Sequence, residues 1–252
     1  MRTRDGVELS YTIRNGSEPT LILLHGWANN RTVWKHIARH LENRLVMLDL
    51  RGHGKSGKPS EDEDYAIERF TDDVTDILDH EGIEHCILVG HSMGGMIALM
   101  AEDPRIEGRV LINTAAGIKD RIPKPNPFLT RLARFFDEHQ KLVPNDLSEP
   151  YRNDFNTFLK GLAGTSPIAT ISCFEEMYEL DAGEQLEHIE TPTLIIASEN
   201  DHILPKRFSE ALTKIPNSRI ETINANHFSL IDHAEEIGKA ITRFIAQSRI
   251  RE

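Results

Sequence analysis

The sequence predicts an α/β fold, with a mostly parallel central sheet, helices on both faces and a helical lid inserted late in the strand series. Three observations lead there. Short runs rich in Val, Ile and Leu recur along the chain, most followed by a longer segment whose apolar residues fall three and four apart, the alternation expected of parallel strands joined by crossover helices. Leu21-Ile22-Leu23-Leu24 and Leu194-Ile195-Ile196 are apolar throughout, as strands covered on both faces require. The 252 residues, 39% hydrophobic, are enough for one large domain around a single sheet.

Strands are expected at 8–14, 20–25, 44–49, 86–91, 109–113, 193–197 and 219–223. The first alternates polar and apolar residues, as an antiparallel edge strand does. Helices are expected at 32–41, 65–80, 93 to about 102, 205–214 and 233–248. Before Tyr65 stands Glu61-Asp62-Glu63-Asp64, where Asp64 is an N-cap candidate and the acidic cluster suits a helix N-terminus. The strand rhythm breaks between 117 and 190, a stretch containing Pro123, Pro125, Pro127, Pro144 and Pro150. Two strands about 80 residues apart imply an insertion. The expected organisation is therefore a core of 1–116 and 191–252 and a helical cap of 117–190. Phe128, Phe135, Phe136, Phe155, Phe158, Phe174 and Tyr178 make the cap the aromatic-rich part of the chain, with some rings expected to line a pocket.

Forty acidic against 29 basic residues give a net charge of −11, which disfavours nucleic acid and anionic membrane surfaces as partners. Met1 to Gly6 lack an apolar leader segment, and no apolar run approaches the roughly 18 residues that span a bilayer. Of two cysteines, Cys86 lies in the apolar run Cys86-Ile87-Leu88-Val89, where a buried reduced thiol is expected. A cytoplasmic protein is the resulting expectation.

The strongest chemical signal is Gly90-His91-Ser92-Met93-Gly94-Gly95, lying between the strand at 86–91 and a helical run. In a G-x-S-x-G turn the serine occupies a tight strand-to-helix bend that pushes its hydroxyl into solvent, and the helix N-terminus beneath favours nearby negative charge. A serine hydroxyl is a poor nucleophile near neutral pH, so it needs a base and an orienting carboxylate. Both follow the later strands: Ser198-Glu199-Asn200-Asp201-His202 and Asn224-Ala225-Asn226-His227. The order Ser92, Asp201, His227 is nucleophile, acid, histidine.

With His25-Gly26-Trp27 after one buried strand and Asp49-Leu50-Arg51-Gly52-His53-Gly54-Lys55-Ser56 after the next, these motifs make nearly the whole chain resemble the α/β-hydrolase superfamily, specifically its small capped, carboxylesterase-like members. The resemblance implies an α/β-hydrolase fold with Ser92, Asp201 and His227 as catalytic residues, and an oxyanion hole formed by the backbone N–H groups of Trp27 and Met93. Trp27's indole would be pocket wall, and Trp34 core. Such enzymes usually carry glycine where Ser198 stands. Glu199 is the competing carboxylate on that loop, and Asp201 is preferred because Pro205 four residues later preserves the spacing.

Two phosphate-type patterns are set aside. Gly52-His53-Gly54-Lys55-Ser56-Gly57 matches G-x-G-x-x-G but is followed by Lys58-Pro59-Ser60, not by a helix, and a phosphate-binding loop ending in Gly54-Lys55-Ser56 lacks its first glycine. His36 and His40 share a helical spacing without the intervening glutamate of a zinc-peptidase helix. No metal or organic cofactor is required. An aspartate nucleophile would have indicated alkyl-enzyme chemistry; serine indicates acyl transfer. The expected substrate is a small-molecule carboxylic ester with a short- to medium-chain acyl group. A carbon–carbon bond hydrolase, a lactonase and a cofactor-free perhydrolase would use the same residues, and a non-catalytic ligand-binding receptor is the non-enzymatic alternative.

Overall fold

The computed structural model describes residues 1–119 and 161–248. Seven strands form one sheet: β1 (Tyr11–Arg14), β2 (Ser17–Leu24), β3 (Asn43–Leu48), β4 (Cys86–His91), β5 (Ile106–Ile112), β6 (Thr193–Ser198) and β7 (Ser218–Ile223). Their order is β1-β3-β2-β4-β5-β6-β7, with β1 antiparallel to β3 and every other pair parallel. All seven expected strands are present, most with ends shifted by a few residues.

The fully apolar strands sit at the centre because successive side chains point to opposite faces and both faces are covered. Ile22, Leu24, Val46, Leu48 and Leu88 belong to one core cluster, Leu21, Leu23, Leu45, Ile87 and Val89 to the other. On the first face pack α1 (Ile67–Glu81), α2 (Met93–Met100) and α3 (Pro167–Glu179); on the second packs the C-terminal helix at Ala234–Ser248. Between α3 and that helix lie α4 (Arg207–Ala211) and α5 (Ser229–Asp232), which makes the C-terminal helix α6. In α1 the buried Phe70, Val74, Ile77 and Leu78 repeat at the spacing of one helical stripe, and α6 does the same with Ile237, Ile241, Phe244 and Ile245. Helix α1 stops at Gly82, whose φ of 58° lets Ile83 N–H reach back to the Leu78 carbonyl at 2.9 Å.

Three local expectations are corrected. Residues 32–41 form two 3₁₀ turns, Arg31–Lys35 and Ile37–His40, although the apolar spacing marked their buried face correctly. The expected helix at 205–214 is a five-residue α4 followed by a 3₁₀ turn, Leu212–Lys214. Asp64 is not an N-cap: it lies inside a 3₁₀ turn, Asp62–Tyr65, and α1 begins only after Ala66.

Strands β5 and β6 are neighbours despite their separation in sequence. An antiparallel bridge pairs Gly117 with Asp181, and Ala182 N–H donates to the Ala116 carbonyl at 2.7 Å, so the chain leaves and re-enters the core at adjacent points. Of the expected cap, Phe128, Phe135, Phe136, Phe155 and Phe158 lie outside the described residues. Helix α3 carries Phe174 and Tyr178 and docks on the first face through Ala169, Cys173 and Met177. No helix among the described residues is long and apolar enough to cross a membrane.

Candidate active site

The chain after β2 turns toward β3, and the chain after β4 turns toward β5 on the other side, which opens a crevice at the carboxyl ends of β2 and β4. His25-Gly26-Trp27 and Ser92 both lie at those ends. A Cβ at Gly26 would stand 3.1 Å from the Ser92 Cβ and 3.0 Å from His91 Nδ1, so the two turns touch and a larger residue would press its neighbours apart by a few tenths of an ångström.

Ser92 follows β4 with φ 53° and ψ −119°, a conformation rare outside glycine, and α2 starts at the next residue. The glycines around it are required by space. A Cβ at Gly90 would lie 2.2 Å from the Gly94 carbonyl oxygen, and one at Gly94 would lie 2.1 Å from the Leu24 carbonyl oxygen. The serine carbonyl is fixed by Thr114 Oγ1 at 2.7 Å and by the amide of Gly95 at 2.9 Å. Met93 is the first residue of α2, where an N–H has no acceptor within its own helix. Trp27 is half-buried; its indole Nε1 donates to the Thr170 carbonyl at 3.0 Å, and its ring meets Phe174 edge-on at 5.6 Å, tying this turn to α3. Trp34 is fully buried in the second core cluster.

Asp201 and His227 come together because β6 and β7 are parallel neighbours in register, Ser198 opposite Ile223. The pairing continues past the strand ends through Glu199 N–H to Ile223 O and Asn200 N–H to Ala225 O, both 2.9 Å. His227 Nδ1 lies 2.7 Å from Asp201 Oδ2, with both side chains buried. The carboxylate only accepts, so Nδ1 carries the proton and Nε2 keeps a lone pair. The other carboxylate oxygen accepts the amides of Ile203 and Leu204 at 2.9 and 2.7 Å, which fixes the plane of the group. Glu199 points elsewhere: it is exposed and pairs with Lys206 Nζ at 2.6 Å.

His91 links this pair to Ser92. Its Nε2 donates to the His227 carbonyl at 2.8 Å, and the two rings are 4.9 Å apart. Burial, then the neighbouring His227, pushes the His91 pKa down to about 3, so it is a neutral donor and cannot replace His227 as a base near neutrality. His25 is likewise pushed down to about 4 by burial; its Nδ1 faces the Gly26 carbonyl at 2.8 Å and its Nε2 accepts the Leu50 amide at 3.1 Å. His53 is pushed to about 3 by burial and then by His25.

The loop from Asp49 to Ser56 is built inward. Asp49 accepts the amides of Arg31 at 2.7 Å and Lys55 at 2.8 Å and pairs with the Arg31 guanidinium, while Ser56 Oγ bonds the Asp49 carbonyl. Arg51, fully buried, forks onto Asp73 at 2.8 and 2.6 Å and reaches Asp5 at 3.0 Å. Burial alone would lower the Arg51 pKa, but these carboxylates raise it and hold the guanidinium cationic. The carboxylate of Asp49 and the guanidinium of Arg51 are thus both engaged within the fold.

Asn113 is expected only as the last residue of a strand, but β5 stops at Ile112, and the buried Asn113, at φ 46°, bridges the loops that carry Asp201 and His227. The available signal was an asparagine after three apolar strand residues, since asparagine tolerates that left-handed conformation.

A family model described as "Alpha/beta hydrolase family" matches residues 21–240. The chain belongs to that family. The chain spans only about a quarter of a curated relative with 43% identity over 83 residues, Epoxide hydrolase 4 of Mus musculus, a match covering 32% of this chain and 23% of that one. A longer match, 26% identical, is to 3-oxoadipate enol-lactonase 2 of Acinetobacter baylyi, covering 95% of this chain and 93% of that one. Among solved structures, an esterase from Exiguobacterium antarcticum superposes with a TM-score of 0.78 at 22% identity, covering 98% of this chain and all of that chain, a likeness of fold.

Proposed function

We propose that this hydrolase cleaves carboxylic esters with short- to medium-chain acyl groups through an acyl-enzyme on Ser92. The observation that carries the reading is the buried His227–Asp201 hydrogen bond, 2.7 Å long, linked through His91 to a serine held at φ 53°. In this reading His227 Nε2 takes the Ser92 proton as Oγ attacks the ester carbonyl, Asp201 steadies the imidazolium, and the N–H groups of Met93 and Trp27 receive the oxyanion. His227 then protonates the leaving alcohol. Water repeats the sequence and releases the acid. Helix α3, tied to the Trp27 turn, walls the acyl pocket in this reading.

The near full-length similarity to an enol-lactonase favours a second reading, in which the ester is cyclic and the alcohol stays tethered to the acyl group. Both readings use the same steps. The test is turnover of short-chain p-nitrophenyl esters and of simple lactones, combined with mass spectrometry after treatment with a fluorophosphonate. Repeated turnover and a single adduct on Ser92 are expected. An adduct on another residue, or binding without turnover, removes the assignment.

A further inference from the structure

Asn113 stands between the two loops that bring Asp201 and His227 together, and its side chain satisfies both. The Ser198 amide donates to Asn113 Oδ1 at 2.9 Å. On the other side, Asn113 Nδ2 donates to the His227 carbonyl at 3.0 Å and to Ser229 Oγ at 3.1 Å, with the Asn226 carbonyl at 3.4 Å. Ser198 N–H only donates and the His227 carbonyl only accepts, so one orientation of the amide is allowed. Its backbone N–H is anchored to the Ile196 carbonyl at 2.9 Å. A buried side chain in a strained conformation, with every polar atom spent on chain segments 83 to 116 residues away, is held there by the surroundings and not by local preference.

The geometry points to Asn113 as a positioning residue for His227. It acts with His91: the two give the His227 carbonyl a pair of donors, at 3.0 and 2.8 Å, that fix the base's backbone while Asp201 fixes its ring. Its acceptor side holds Ser198, whose carbonyl receives the Asp201 amide at 3.4 Å, so the same amide ties the acid's loop to the base's loop. Asparagine is required and aspartate is excluded, because a second carboxylate oxygen would face the His227 carbonyl where a donor now stands. This inference rests on the reading of His227 as the general base.

The experiment compares wild type with Asn113→Asp, which reverses the donor, and Asn113→Gly, which removes the amide but accepts the left-handed backbone and so preserves the fold. Each is assayed on a p-nitrophenyl ester, with folded fraction taken from circular dichroism, and the downfield proton resonance of His227 Nδ1 is recorded in the absence of substrate. Both variants are expected to lose about 10²-fold in kcat with KM within two-fold, since a displaced catalytic group costs rate on that order. The Nδ1 resonance is expected to shift or broaden in both. A folded Asn113→Gly protein with wild-type kcat and an unmoved resonance overturns the proposal. Wild type that neither turns over esters nor labels at Ser92 instead removes the hydrolase reading, and the resonance, which needs no substrate, still decides whether Asn113 holds the ring.

Discussion

Two glycine-rich turns leave the carboxyl ends of this sheet, one after β3 containing Ser56 and one after β4 containing Ser92. By composition they are alike: each follows a buried strand and carries a histidine, a serine and flanking glycines. Their hydrogen bonds separate them. Ser56 is buried, bonds the Asp49 carbonyl and accepts the Ser10 amide at 2.9 Å. Ser92 is only half-buried, its carbonyl is tightly held, and its backbone is bent into a strained conformation. A turn whose serine hydroxyl is used internally is scaffold. One that spends its bonds on fixing the backbone leaves its hydroxyl available for chemistry.

Exchanging the serines gives the sharpest contrast. Ser92→Ala should lower ester turnover by roughly 10⁴-fold or more with little change in thermal unfolding, whereas Ser56→Ala should keep its activity per folded molecule and lose about 1–3 kcal/mol in urea unfolding. If both lose activity alike, the distinction between scaffold and site fails. Next is the acid. Asp201→Asn should cost about 10⁴-fold in kcat, because the wrong imidazole tautomer would be favoured, while Glu199→Gln, exposed and paired only with Lys206, should stay within a few-fold; the reverse ranking would move the acid to Glu199.

The scaffold turn is then probed by Arg51→Ala, which strands the buried Asp73 carboxylate and should cost about 3–5 kcal/mol of stability; a loss below about 1 kcal/mol in denaturant titration would contradict a structural role. The remaining test is pH. His25, His53 and His91 are held below their unfolded pKa of 6.5, so the unfolded chain binds more protons once pH drops below that value. Their stabilisation is complete above about pH 6.5 and shrinks toward pH 3–4, by up to about 1.4 kcal/mol per pH unit for each group. Stability that is flat between pH 7 and 5 would contradict their burial as neutral rings.

Much of this architecture is legible without coordinates. The central strands are readable because buried parallel strands need near-continuous apolar runs, and β4 falls on the expected residues. The serine turn and the acid loop are readable because each follows such a run, whereas the histidine loop follows the half-buried edge strand β7. What periodicity does not distinguish is a 3₁₀ turn from an α-helix when both bury the same face, as at Val33, Trp34 and Ile37. Nor does it reveal Asn113, whose significance lies in partners brought near only by the sheet.

The bridge between Gly117 and Asp181 has an evolutionary corollary. Because exit and return stand side by side, and because the entropy of closing a flexible segment rises only slowly with its length, the sheet and its reactive turns tolerate lengthening or shortening of what is spliced in at that point. In the proposed reading, selectivity can then diversify at this splice while the sheet stays constant.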